Sequence, residues 1–351
     1  MTILAKYEEL TQIYDGENSQ VYSARHKEDG QPVILKVLKT EYPTPDQLRR
    51  YRQEYHLTHQ LQLPKVIKSY GLEEWQRTLV IIFEDFGGIS LNQFLKQYPQ
   101  GLPIDQFLIL AFKLANALGQ IHSQSIIHKD INPHNTVFNP ETKILKLIDF
   151  GISTQLSREN PALQTPSALE GTLPYLSPEQ TGRMNRALDY RTDFYSLGVT
   201  FYELLTGRLP FNSDDPMELV YCHIAKQPAP LIEAKNGQIP KMIGEIVNKL
   251  MAKNAEERYQ SAWGLKADLE ECWAQWERKS TISKFALGRL DIPDRFQIPQ
   301  KLYGREREIK LLLSCFDRLT NADLDKDNHV AELILVAGYS GIGKSAVVRS
   351  L

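Results

Sequence analysis

Cysteine is scarce in this 351-residue chain. Its three cysteines, Cys222, Cys272 and Cys315, lie far apart and lack metal-ligand spacing, which argues against a disulfide-stapled fold and a thiolate metal centre. The eight histidines form no ligand pattern either. No apolar run approaches membrane-spanning length, and the first ten residues lack the apolar core of a signal peptide, so the chain reads as cytoplasmic. An excess of one charge is also missing. Lys and Arg number 41 against 43 Asp and Glu, a formal net charge of -2, and nothing suggests a nucleic-acid or polyanion partner. Internal repeats and low-complexity tracts are absent. What remains is an ordinary globular composition, 42% hydrophobic, long enough for about two or three domains with real cores.

Chemistry is concentrated in two short runs, His128-Lys129-Asp130-Ile131-Asn132-Pro133-His134-Asn135 and Asp149-Phe150-Gly151. Between them lie two apolar stretches, 136–138 and 144–148, separated by the turn-forming Asn139-Pro140-Glu141-Thr142. A hairpin returns its ends to one place. Asn135, just before the first strand, and Asp149, just after the second, are therefore expected side by side, offering an amide oxygen and a carboxylate to one hard cation. That donor pair suits Mg2+ carried on a nucleotide. Asp130, on the same loop as Asn135, adds a carboxylate able to position a hydroxyl and accept its proton.

These runs resemble the H-R-D-L-x-x-x-N and D-F-G motifs of eukaryotic-like (Hanks-type) Ser/Thr protein kinases, and the resemblance extends over residues 8–273. It implies an α+β, bilobal protein kinase fold with a small β-rich N-lobe and a larger helical C-lobe, using ATP and Mg2+. Val33-Ile34-Leu35-Lys36 is similar to the family's V-A-I-K, making Lys36 the phosphate-orienting lysine and calling for a carboxylate partner. Glu54 is the candidate. Its helix is announced by Thr44-Pro45-Asp46-Gln47, an N-cap, a proline at the first helical position and a capping-box glutamine. Leu48, Tyr51 and Tyr55 then form the expected inward stripe, with Glu54 on its flank. Phe83 and Glu84 to Phe86 would form the hinge against adenine. Ser177-Pro178-Glu179 resembles A-P-E and Asp193-Phe194-Tyr195-Ser196-Leu197-Gly198 resembles D-x-W-S-x-G. By resemblance, Glu179 pairs with Arg258, and Asp193 braces the catalytic loop from a helix capped by Gly207. Thr172 matches the threonine of the substrate-facing loop, and Ser153, Thr154, Ser157, Thr165 and Ser167 are candidate phosphosites.

Three departures touch phosphate handling. In the glycine-rich loop, aligning Val21 with the motif valine puts Tyr14, Gly16 and Ser19 at the glycine positions, so only Gly16 keeps the residue that lets backbone amides approach phosphates. Asn132 stands where a lysine usually contacts the transferred phosphate. Lys129 replaces the arginine whose bidentate fork grips a phosphorylated activation loop. These losses raise a second reading, a nucleotide-binding pseudokinase that regulates its neighbours. The retained Lys36, Glu54, Asp130, Asn135 and Asp149 favour catalysis on Ser/Thr hydroxyls of protein substrates, with autophosphorylation also possible.

Outside the hairpin, β-like runs fall at 20–23, 33–37 and 79–83, and helical patterns at 104–122, 193–206, 217–226, 240–253 and 261–276. A charged, proline-punctuated connector follows, giving a linker over 274–299. Beyond it, 332–337 reads as a strand entering Gly338-Tyr339-Ser340-Gly341-Ile342-Gly343-Lys344-Ser345, a complete G-x-x-x-x-G-K-S phosphate loop in which Gly338, Gly341, Gly343, Lys344 and Ser345 would bind nucleotide. With Leu302-Tyr303-Gly304-Arg305-Glu306 and a helix to about Leu319, residues 300–351 resemble the entry of AAA- or STAND-type P-loop ATPases. They read as an incomplete α/β segment, the first part of such a module within a larger multidomain signalling protein.

Overall fold

Strand β3 (Pro32–Leu38) organises the first lobe, because its side chains alternate between two environments. Val33, Leu35 and Val37 bury one face with Tyr7, Ala24, Val80 and Ile82. Ile34 and Leu38 point to the other, which also takes Tyr51, Ile67, Leu79, Ile81 and Phe83. Lys36 shares this second face, and a one-residue slip of register would move it to the wrong side. The antiparallel sheet is completed by β1 (Tyr7–Asp15), β2 (Ser19–His26), β4 (Ser69–Trp75) and β5 (Thr78–Glu84), in the order β1-β2-β3-β5-β4. Lys36 is thus central, opposite Val21 on β2 and Ile81 on β5.

Helix α1 (Pro45–Gln60) packs on the Lys36 face. The Gln47 amide donates to Thr44 Oγ1 at 3.3 Å and the Thr44 amide to Gln47 Oε1 at 2.9 Å, closing the capping box with Pro45 in the first turn. Tyr51, Glu54, Leu57 and Thr58 are its buried residues, and Leu48 and Tyr55 pack half-buried on the same core, in line with the expected stripe. Glu54 lies on the inward face rather than its flank, because the sheet beneath carries a cation.

The computed structural model describes residues 6–75, 77–156, 170–183, 188–234, 237–293, 306–320 and 333–337. They fall into two units divided between Arg295 and Phe296. After the sheet, the first unit continues through β6 (Ile89–Ser90), α2 (Leu91–Leu95), α3 (Ile104–Ser123), β7 (Ile126–Ile127), β8 (Thr136–Phe138), β9 (Leu145–Leu147) and β10 (Thr154–Gln155). Helices α4 (Arg191–Thr206), α5 (Pro216–Ala225), α6 (Leu231–Ala234), α7 (Lys241–Leu250) and α8 (Ala262–Lys279) complete it. α3 and α4 are buried along most of their length and form the centre of the helical lobe. Gly207, at φ +70°, ends α4 in the left-handed conformation and returns its amide to Glu203 O at 2.8 Å.

Residues 277–293, read from the sequence as connector, are packed onto this lobe. α8 runs on to Lys279, and Ile282, Phe285 and Leu287 cover the core. Asp291, 5% exposed, accepts the Gln260 and Ser261 amides at the start of α8. A carboxylate there satisfies donors that a helix start leaves open.

His223 on α5 is fully buried, with Nδ1 3.1 Å from the Tyr195 hydroxyl. Burial, reinforced by Lys253, pushes its pKa from 6.5 down to about 4. The folded protein therefore excludes a proton that the unfolded chain binds between those values, and stability falls as pH drops through that window. His223→Gln is expected to flatten this part of the melting temperature against pH profile, removing an acid penalty on the order of 3 kcal/mol. An unchanged slope between pH 6.5 and 4 would assign the acid lability elsewhere.

In the second unit, α9 spans Glu306–Thr320. The expected strand at 332–337 is not formed over residues 333–337, where Leu333 is 96% and Leu335 88% exposed. A strand needs a hydrogen-bonded neighbour, and none flanks it among the described residues. Gly338, Gly341, Gly343, Lys344 and Ser345 lie outside the described residues, as do Ser157, Thr165 and Ser167.

Candidate active site

The β8–β9 hairpin pairs Thr136 with Leu147 and Phe138 with Leu145. At its open end the Ile148 amide donates to Asn135 O at 3.0 Å, holding the segments that carry Asn135 and Asp149 together. Asp149 adopts φ +63°, a left-handed conformation uncommon for a residue with a side chain. Phe150 beside it is fully buried, its ring edge-on to His128 at 4.7 Å between centroids. The His128 ring in turn lies 3.0 Å from Ile148 O, so the loop before the hairpin and the turn after it are locked to each other.

Asp193, on α4, fixes the loop backbone from below. Its carboxylate accepts the His128 and Lys129 amides at 2.9 and 2.8 Å and sits 2.8 Å from His122 Nε2. Above, Asp130 Oδ1 accepts the Thr172 amide at 2.8 Å and Asn132 Nδ2 at 3.0 Å, while Oδ2 accepts Asn135 Nδ2 at 2.7 Å. Three donors fix the direction of this carboxylate. Asn132 is fully buried, and its Oδ1 accepts the amides of His134 and Asn135. The sequence places Asn132 at the family's lysine position as a candidate catalytic residue, and here its side-chain atoms are engaged within the loop. It braces Asp130 and Thr172, whose hydroxyl accepts from its Nδ2 at 3.2 Å.

Lys36 Nζ donates to both Glu54 carboxylate oxygens at 2.9 and 2.8 Å and lies 3.2 Å from Asp149 Oδ1. Burial alone would discharge the lysine, but Asp149 and Glu54 more than offset it and raise its pKa. Burial likewise pushes Glu54 up, to about 7, against the pull of Lys36. Asp149, which burial would also raise, is held below the usual carboxylate range by Lys36. Here Glu54 is 3% and Asp149 44% exposed in their side chains. The first is a structural counter-ion, and the second retains surface for a ligand.

Mg2+ fits the donors left over. Asn135 Nδ2 is engaged with the backbone and side chain of Asp130, which leaves its Oδ1, and Asp149 has the exposed carboxylate. Among the described residues no group of three or more His, Cys, Asp or Glu could hold a metal ion without help. An amide oxygen and one carboxylate make an incomplete shell for a hard cation, which suits an ion arriving with phosphate oxygens.

The remaining phosphate and adenine candidates are placed less favourably. In the β1–β2 turn the Gly16 amide donates to Ser19 O at 2.9 Å, so it closes the turn instead of pointing to a ligand. A Cβ at Gly16 would meet the Tyr14 ring at 2.6 Å. Val21 lies in β2 opposite Lys36, and Lys39 ties the turn down through Asp15 at 2.8 Å. The Glu84 carboxylate accepts the Lys68 amide at 2.8 Å and bonds to Lys146 Nζ, so its side chain is engaged within the protein. Phe86 O accepts Asn139 Nδ2 at 2.7 Å. Ser153 is 1% exposed and donates to His128 O, which removes it from the accessible phosphosite candidates.

Sequence reasoning missed Glu170 and Gln180. Gln180 Nε2 donates to Lys129 O at 2.8 Å and Glu170 O at 3.3 Å, tying the segment before Thr172 to the catalytic loop. Only the capping pattern Ser177-Pro178-Glu179-Gln180 signals Gln180 in the sequence.

Residues 7–269 match the family model for the protein kinase domain. The chain belongs to the protein kinase family. It is similar to the hybrid signal transduction histidine kinase G of Dictyostelium discoideum, 30% identical over 71% of this chain and 10% of that protein. It is also similar to a probable serine/threonine-protein kinase of Clostridium perfringens, 32% identical over 76% of this chain and 38% of that protein. The serine/threonine-protein kinase PknB of Mycobacterium leprae is 33% identical over 72% of this chain and 41% of its own length. The chain thus spans less than half the length of these curated relatives.

Proposed function

We propose that this chain transfers the γ-phosphate of Mg-ATP to serine and threonine hydroxyls of proteins in signalling. One observation carries the reading: Lys36 bonds Glu54 and Asp149 together, within a site that also holds Asp130 and Asn135. A pseudokinase would be expected to lack one of these groups, and none is lacking. In the proposed site Asp130 accepts the hydroxyl proton, Lys36 orients phosphates, and Asn135 with Asp149 holds Mg2+, which neutralises charge developing on the phosphoryl oxygens. Gly16, Ser19 and Val21 would cover the nucleotide, with the Glu84 and Phe86 backbone against the base. The test is incubation with Mg-ATP and a generic protein acceptor, followed by phosphosite mapping. Phosphoserine and phosphothreonine are the expected products, and incorporation no greater than in Asp149→Ala sinks the proposal.

We further propose a kinase domain over 8–273, a connecting stretch over 274–299 whose residues as far as 293 pack on the helical lobe, and, from residue 300, the first part of an AAA- or STAND-like P-loop ATPase of a larger cytoplasmic signalling protein. The G-x-x-x-x-G-K-S loop supports it, as does the much greater length of the relatives. Among the described residues no helix is long and apolar enough to cross a membrane. Lys344→Ala is expected to remove one of two nucleotide-binding events in calorimetry, leaving the other to Lys36. Binding at a single site, unaffected by Lys344→Ala, would dismiss the second module as a nucleotide site.

A further inference from the structure

Glu170 lies two residues before Thr172, where the chain meets both α1 and the catalytic loop. Its Oε1 is 3.3 Å from Arg50 Nη2 and its Oε2 is 3.4 Å from Lys129 Nζ. The Lys129 side chain is only 11% exposed, so a nearby anion matters to it more than to a solvated lysine. Arg50 is shared, since its Nε also donates to Asp46 at 2.8 Å. Two cations, one already half served by Asp46, are matched by a single carboxylate.

The backbone follows the side chain. Glu170 O accepts from Gln180 Nε2, which also holds Lys129 O, and Gly171 passes against Lys129 O at φ +110°. Thr172 then delivers its amide to Asp130 at 2.8 Å. Arg50, one α-helical turn before Glu54, links this corner to the pair that holds Lys36. One carboxylate thus bridges α1, the catalytic loop and the Thr172 segment.

We propose that Glu170 is a positioning residue, a built-in anionic clamp that fixes the Thr172 segment to α1 and the catalytic loop without phosphorylation. Added phosphate orders such segments in other kinases by pairing with arginines. Here Lys129 offers a single ammonium, which suits a monoanionic carboxylate, and the partner is encoded in the chain. The inference rests on the kinase reading and adds its regulation: the protein is active as synthesised.

The test uses the full chain after phosphatase treatment. The treated wild type is expected to keep its transfer rate, and Glu170→Gln to lower kcat about tenfold with KM for ATP changed less than about threefold. Glu170→Asp should recover part of the loss, which a purely steric role would not predict. Amide exchange at Thr172 should accelerate in Glu170→Gln, a readout that does not need activity. Loss of wild-type activity on phosphatase treatment, or an unchanged Glu170→Gln rate, overturns the clamp. A wild type inactive in every state refutes the kinase reading, while Thr172 exchange unchanged by Glu170→Gln refutes the clamp separately.

Discussion

Asp149→Ala is expected to lower phosphate transfer by at least about a thousandfold, roughly 4 kcal/mol of transition-state stabilisation. The magnitude follows from what the carboxylate does twice. It is the exposed member of the donor pair available to Mg2+, and it lies 3.2 Å from Lys36, helping to keep that ammonium charged in a buried place. Its removal takes away a metal ligand and one of the lysine's two anions together. Lys36→Met should match the loss in rate for a different reason, leaving Glu54 buried beside an apolar side chain. Rates from purified protein with Mg-ATP, each variant checked for wild-type melting, separate chemistry from folding. Activity of Asp149→Ala within about tenfold of wild type would mean that Asn135 and Asp149 do not hold the metal.

The same arrangement explains which parts of the site could be read from the sequence. Asn135 and Asp149 were legible because a hairpin is local, and its turn residues fix where the two ends meet. The Lys36–Glu54 pair was legible by resemblance and the capping box marked its helix, whereas the turn of Glu54 fully inward from the flank depended on the sheet beneath it. Glu170 was not legible. It follows a stretch rich in Ser, Thr and Pro without periodicity, and its partners lie 41 and 120 residues away, on the catalytic loop and α1. The bracing role of Asn132 was not legible, because only its surroundings show every polar atom engaged. β1 carried little signal, since all its residues but Tyr7 are exposed along the sheet edge. The packed stretch after α8 looked like connector for a similar reason. Ile282, Phe285 and Leu287 follow no helical or strand period, and Asp291 acts on a helix start 30 residues earlier.

Arg258→Ala is expected to reduce the unfolding free energy by about 3–5 kcal/mol. The guanidinium is completely buried and grips Glu179 with two bonds, Nη1 to Oε1 at 2.6 Å and Nη2 to Oε2 at 2.8 Å. Its other donors reach Ala252 O at 2.8 Å, Arg191 O at 2.9 Å and Lys253 O at 3.2 Å. Truncation leaves Glu179 charged and unpaired in the interior and frees three carbonyls at once. Burial would raise the Glu179 carboxyl, but Arg258 outweighs it and holds it below the usual range, so the pair acts throughout the neutral range and weakens only in acid. Melting should fall by roughly 10 °C in calorimetry. Glu179→Met with Arg258→Met should recover much of that loss, because replacing both partners leaves no orphan charge. Catalysis should not recover with it. Glu179 sits in the turn Pro178–Thr181 beside Gln180, whose amide holds Lys129 O, so the pair anchors the floor of the catalytic loop to the helical lobe. A double variant restored in melting but still slow in transfer would show that the ion pair is there for position. A single variant losing less than about 1 kcal/mol would mean water satisfies this arginine pocket without the charge.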